Sequence, residues 1–247
     1  MPRLFFISFL LVVVAVATGF SSRQYFKGYP QQAAPIAGTE SFYVVVGENP
    51  PEMNCEPRHT LVRLDPDGSI TPIREIDAKL YMSEDITDGK TVVMHQYPKP
   101  PLLYTIATGE LSPLPDGYKG TDNWHKVEGH EFDSLKAYPL LGDLQGLRIV
   151  RLYKPDYYLV SAVVPGSGGC TSTSEFDSVS GYMSTTFSTR GSDFYWAIAD
   201  IKRKKLTKVA LNATPRISSS DKVIFFSAHD TTGKSYPQFV RLEEYVK

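Results

Sequence analysis

Cysteine is nearly absent from this 247-residue chain, which has two, Cys55 and Cys170. That excludes a disulfide-dense scaffold and any site built on several thiolates. Charge of one sign is lacking as well: 26 basic and 27 acidic residues leave a net charge of -1. The single basic block, Lys202-Arg203-Lys204-Lys205, reads as a solvated turn, so a nucleic-acid surface is not expected. No window sustains a 3.6-residue apolar period over helix length, so helices should be few. Beyond residue 20 no apolar run is long enough to cross a bilayer as a helix. Neither H-E-x-x-H nor H-x-x-E-H occurs, and no cofactor motif is found.

The strongest positive signal is at the start. Met1-Pro2-Arg3 carries one positive charge, Leu4 to Ala17 is uncharged and apolar, and Ala15-Val16-Ala17 has the small-x-small pattern of a cleavage site. Residues 1–20 therefore read as a secretory signal, with an uncleaved N-terminal anchor as the alternative. A spanning helix wants roughly 20 apolar residues and this run falls short. Cleavage after Ala17 predicts a mature chain starting near Thr18. The product would be secreted or periplasmic, touching a membrane only through residues 4–20 if these are retained. In an oxidising compartment Cys55 and Cys170 are expected to form one disulfide; two unpaired thiols are the other reading.

Residues 21–40 are polar and rich in Gly, Pro and Gln, the composition of a linker. From residue 41 to 247 short β-rich runs alternate with Gly, Pro, Asp and Asn clusters. Leu61 to Leu64 meets Asp65-Pro66-Asp67-Gly68 and then Ser69 to Ile73. Leu103 to Ile106 meets Ala107-Thr108-Gly109-Glu110. Tyr195 to Ile198 leads through 199–205 into Leu206 to Val209, and Phe239 to Leu242 repeats the first half. With Leu64, Ile106, Ala199 and Leu242 as equivalents the steps are 42, 93 and 43 residues. The middle step spans about two periods, and its missing member is expected around Tyr157 to Val163. A period of about 40–45 residues with several strands per unit signals propeller blades. The expected fold is all-β, a β-propeller-like array of about five repeated antiparallel units over 41–247. An incomplete ring or a twisted β-sandwich is the alternative. The last unit stops at Lys247, so its outer strand would have to come from near Ser41 or from the linker.

Thr87-Asp88-Gly89-Lys90 precedes Thr91 to Met94, and Ser219-Ser220-Asp221-Lys222 precedes Val223 to Phe226. With Leu103-Tyr104 and Thr108-Gly109-Glu110, these stretches resemble the WD40-like repeats of TolB-type propellers. The likeness covers one unit well, one or two others in part, and 122–190 hardly at all. It implies a blade architecture and assigns no catalytic residue.

Candidate chemistry is sparse. Trp124, His125, Glu128 and His130 stand in the densest group of ligand-type side chains, with Glu131 and Asp133 close behind. Their spacing fits no metal signature, and a polar loop between units is the plainer reading; contact with some other ligand is the alternative. The Gly/Ser run Pro165 to Ser174 reads as a flexible loop, because Pro165 stands where an esterase elbow around Ser167 needs Gly. Catalytic, cofactor and metal residues are therefore set at none. The expected function is an extracytoplasmic, non-enzymatic protein that binds a protein or an envelope component. A glycan-active enzyme of furanosidase type, or a glycan-binding propeller, is the rival, and the enzyme would need two carboxylates roughly 5–10 Å apart across a cleft. Asp85, Asp122, Glu128, Asp133, Asp156 and Asp193 are the pool from which such a pair would come.

Overall fold

The computed structural model describes residues 24–48, 58–121, 124–165, 167, 169–176, 183–190 and 193–246. Cys55 and the segment 1–20 lie outside them, and with them the disulfide, signal and anchor expectations. Four antiparallel sheets form the body. Sheet 1 holds β1 (Tyr29–Pro35), β2 (Phe42–Glu48), β3 (Arg58–Leu64) and β4 (Ile70–Ile76). Sheet 2 holds β5 (Tyr81–Met82), β6 (Thr91–His95), β7 (Leu102–Thr105) and β8 (Leu111–Pro113). Two short helices follow, α1 (Gly129–Lys136) and α2 (Pro139–Gly142). Sheet 3 holds β9 (Arg148–Arg151), β10 (Tyr157–Val163), β13 (Phe194–Asp200) and β14 (Lys205–Leu211). A hairpin of β11 (Gly169–Phe176) and β12 (Met183–Arg190) is inserted between β10 and β13. Sheet 4 holds β15 (Thr214–Ile217), β16 (Val223–His229) and β17 (Ser235–Arg241).

Period-two alternation decides which sheet packs on which. In β2, Tyr43 and Val45 face sheet 2, joining Met82, Val92, Met94 and Tyr104 in one cluster. Their neighbours Phe42, Val44 and Val46 face the other way and meet Phe225 and Phe239 of sheet 4. In β16, Ile224 and Phe226 turn from those two and join Leu159, Trp196 and Ile198 of sheet 3. The far face of sheet 3, with Val160, Ala162, Ala197 and Ala199, is covered by Leu135 of α1 and Leu141 of α2. The packing order is thus 2–1–4–3, then helices. The last sheet of the chain thus packs on the first, and the helices that follow sheet 2 in the chain cover the far face of sheet 3. Sequential sheets with the last packed on the first is the topology of a propeller.

The fold is the all-β, propeller-like array that the repeats predict, with four sheets and a hairpin against the about five units expected. Leu64 ends β3, Ile106 follows β7, Ala199 lies in β13 and Leu242 follows β17. Each marks the end of the third strand of its sheet. Backbone bonds repeat in step: Ile106 N donates to Lys90 O at 2.9 Å, Ile201 N to Asp156 O at 3.0 Å and Leu242 N to Lys222 O at 2.8 Å. The long middle step has a different cause from the one expected. The stretch around Tyr157 to Val163 is β10, the second strand of sheet 3 itself, so it is no separate unit. The extra length goes into the helices and the inserted hairpin.

Two boundaries also differ. Within 21–40, read as a linker, β1 pairs along β2 from Tyr29 opposite Gly47 to Pro35 opposite Phe42. Its Gln and Pro residues give a loop composition, yet Ala33 and Ala34 are buried. The Gly/Ser run read as a flexible loop enters β11 at Gly169 and carries Cys170 opposite Thr189. The hydroxyl-bearing residues on both strands of this hairpin, Thr171 to Ser174 and Ser184 to Thr189, disguise a β segment as a loop, although Thr favours the extended state. Ring closure does use the linker. Phe26 N donates to Ser235 O at 3.0 Å, and Tyr25 meets Tyr236 edge-on at 6.0 Å. Residues 25–26 thus lie antiparallel beside the first residues of β17, on the side where sheet 4 lacks a fourth strand.

Candidate functional site

The first strands of the sheets converge on the axis. β1 lies beside both β5 and β15. The end of β1 is tied to sheet 2 by Thr87 N to Pro35 O at 2.8 Å and Ala37 N to Thr87 O at 2.7 Å. It is tied to sheet 4 by the Ser219 hydroxyl, 2.7 Å from Ile36 O. Residues 125–127 run along the free edge of β9, with Arg151 N donating to His125 O at 2.9 Å and Val127 N to Ile149 O at 2.8 Å. This extra edge carries Trp124 inward, where it meets Trp196 edge-on at 5.8 Å.

Between these inner strands opens a cavity of about 270 Å³, lined by Pro35, Glu84, Trp124, Arg148, Trp196, Thr214, Pro215, Arg216 and Ile217. It is the central funnel. Arg216 dominates it. The flanking Pro215 and Ile217 are buried, and alternation on a four-residue strand leaves Arg216 to project between sheets. Its side chain is 18% exposed and forms an ion pair with Glu84 through Nη2. Nη1 donates to Pro215 O at 2.7 Å. Nε is buried without a partner. Burial pushes the guanidinium down to about 10, still protonated at neutral pH. Arg148, exposed at the start of β9, brings a second guanidinium to the rim.

The four residues singled out from the sequence separate here. Trp124 lines the funnel. His125 is exposed; it lies near Asp221, whose carboxyl burial raises above the usual range, with His125 opposing this only in part. Glu128 precedes α1 and pairs with Lys126 on the surface. His130 lies in α1, where its ring Nδ1 is 3.4 Å from the Ser134 hydroxyl. The polar loop read over 124–133 is thus part edge strand and part helix. The described members of the carboxylate pool lie on different elements. Asp85 accepts from the Ser83 hydroxyl at 2.6 Å, Asp133 is on α1, and Asp156 sits in the turn before β10 with φ of 68°. Asp193 accepts from Asn212 Nδ2 at 2.8 Å. Asp122 lies outside the described residues. Ser167 holds the base of the hairpin, donating to Val164 O at 2.7 Å and accepting from Asp193 N at 2.8 Å.

Glu84, Arg148 and Arg216 were not picked out by sequence reasoning, because each comes from a different sheet. The one available signal was Arg216 itself, a charge inside an apolar run of Pro and Ile. A second, larger opening of about 580 Å³ lies at the outer rim, floored by Val46, Val62, Ile70 and Ile73 beside Tyr25. It exists because sheet 1 has four strands where sheet 4 has three.

The sequence matches no family profile and no curated protein. Among solved structures, the periplasmic gluconolactonase PpgL of Pseudomonas aeruginosa is similar at a TM-score of 0.25 and 10% identity, over 88% of this chain and 72% of that one. Among the described residues no helix is long and apolar enough to cross a membrane.

Proposed function

We propose that this chain is an extracytoplasmic, non-enzymatic binding protein that engages a protein or an envelope component. One observation supports that reading over a glycosidase. Among the described residues lining the funnel, Glu84 is the single carboxylate, and Arg216 occupies it. Retaining and inverting glycosidases both need two carboxyl groups facing each other across the sugar. A lone carboxylate engaged by an arginine faces no second acid among the described lining residues.

Chromogenic furanosides and pyranosides should release no chromophore on incubation with the protein. Turnover that disappears in Glu84→Gln would replace binding by catalysis. Export adds a separate test. Protein isolated from its native host should have an intact mass starting near Thr18, whereas retention of 1–17 in a membrane fraction would assign the anchor. Thiol titration of the denatured, unreduced protein should find no free thiol, if Cys55 and Cys170 are bonded. Two free thiols would remove the disulfide.

A further inference from the structure

We infer that the central funnel binds a small organic carboxylate, whose negative group takes the place that Glu84 now holds against Arg216. The inference rests on the binding reading and names its ligand class. Charge is the first reason. Among the described lining residues, two guanidinium groups and one carboxylate leave one positive charge in excess. Arg148 has no ion-pair partner among the described residues, and Arg216 keeps a buried Nε unpaired beside its single carboxylate partner. A buried cation with an unmet donor gains from an additional or better-placed anion.

Glu84 is the second reason. Its side chain is 51% exposed and follows the two-residue β5. It can swing to water at small cost, while Arg216 is fixed in a strand between buried neighbours. The movable partner is the one a ligand displaces. Guanidinium recognises a carboxylate through paired N–H donors, and the observed partner is already of that kind.

Size and lining give the third. About 270 Å³ is at the low end for a small-molecule pocket, so the ligand has the bulk of one ring. Trp124, Trp196 and Ile217 offer apolar wall to the body of such a ligand, and Thr214 adds a hydroxyl. A compact ring bearing one carboxylate fits these walls better than a bare inorganic anion does.

The test is calorimetric titration of the whole secreted chain with acids and their uncharged counterparts: benzoate against benzamide, glucuronate against glucose, and inorganic phosphate alone. At least one acid should bind tenfold or more tightly than its neutral counterpart, and phosphate should bind more weakly than that acid. Arg148→Gln should weaken the acid about tenfold. Glu84→Gln should strengthen it several-fold, because the internal competitor is gone, and this variant tests the idea even where Arg216 variants do not fold. Lys205→Gln, at the exposed start of β14 and outside the funnel lining, should change nothing. Equal affinity for acid and neutral forms overturns the inference and leaves the binding reading standing. So does preferential binding of phosphate, absence of binding by every acid, or weaker binding in Glu84→Gln. Glycoside turnover would instead remove the binding reading on which it rests.

Discussion

The two flanks of the ring are built from different materials. Where sheet 1 meets sheet 4, the first and last parts of the chain are joined by four phenylalanines. Phe42 lies 5.6 Å from Phe225 and 6.5 Å from Phe239, and Phe26 is 6.4 Å from Phe225. Between sheets 2 and 3 in the chain, residues 129–142 supply two short helices, and Leu141 is the fully buried anchor against sheet 3. Sheet contacts far apart in sequence are thus made with rings of large area, whereas the local stretch is covered with aliphatic helix. A sheet face can be covered by local apolar helix where no neighbouring sheet packs on it.

Phe42→Ala should break the first flank. It is 0% exposed, so a loss of about 3–5 kcal/mol is expected for a buried Phe, read from urea denaturation. A loss under about 1 kcal/mol would mean that the seam between chain ends contributes little. Leu141→Ala tests the other flank. If the helices serve as a true substitute for a sheet, it should cost about 2–4 kcal/mol. If amide exchange shows 129–142 opening while global stability is unchanged, the helices are only draped on sheet 3.

Acid should act on the sheet-bearing side. His59 in β3 is buried, with its Nε2 3.2 Å from Gln31 Nε2 and its Nδ1 without a partner. Burial lowers its pKa, and nearby Asp77 opposes this only in part. The folded chain therefore holds His59 neutral where the unfolded chain binds a proton. Stability from this group is complete above the unfolded value, about 6.5, and is lost as pH falls toward the lower folded value. The slope is at most about 1.4 kcal/mol per pH unit. Urea midpoints should drop between pH 7.5 and 5.5 by an amount that His59→Phe reduces; an unchanged pH profile in that variant would assign the loss to other groups.

The smallest effects concern a turn shared by sheets 2 and 4. Gly89 has φ of 83° and Asp221 φ of 58° at the residue before the lysine that leads into the second strand. Gly89→Ala should cost about 1 kcal/mol, and Asp221→Gly should gain about 0.5 kcal/mol. Thermal shifts of the same sign in both variants would show that the two turns are not equivalent.

These turns were the legible part of the sequence. Asp88 takes hydrogen bonds from Lys90 N and Thr91 N, both at 2.8 Å, and such local chemistry needs only neighbouring residues. Three of the third-strand ends, at Leu64, Ile106 and Ala199, were legible for the same reason, since each is followed by its own tight turn. The helices were not. α1 has one buried residue, Leu135, so it presents no apolar stripe, and α2 is a single turn opened by Pro139. The funnel was harder still. Trp124 drew attention only through its histidine neighbours, while Glu84, Arg148 and Arg216 are brought together by packing between sheets, which no spacing along the chain encodes.

The hairpin β11–β12 sits oddly in this frame, because the ladder beneath it ignores it. β10 and β13 pair from Tyr157 opposite Asp200 to Val163 opposite Phe194, and Val164 N still reaches Asp193 O at 2.8 Å. The chain departs and returns at one point, so the arm is topologically a graft on a closed stem. Lengthening, exchanging or excising it would leave every rung of sheet 3 in register. The stem is therefore a position at which this architecture can acquire or shed an appendage without renegotiating its core.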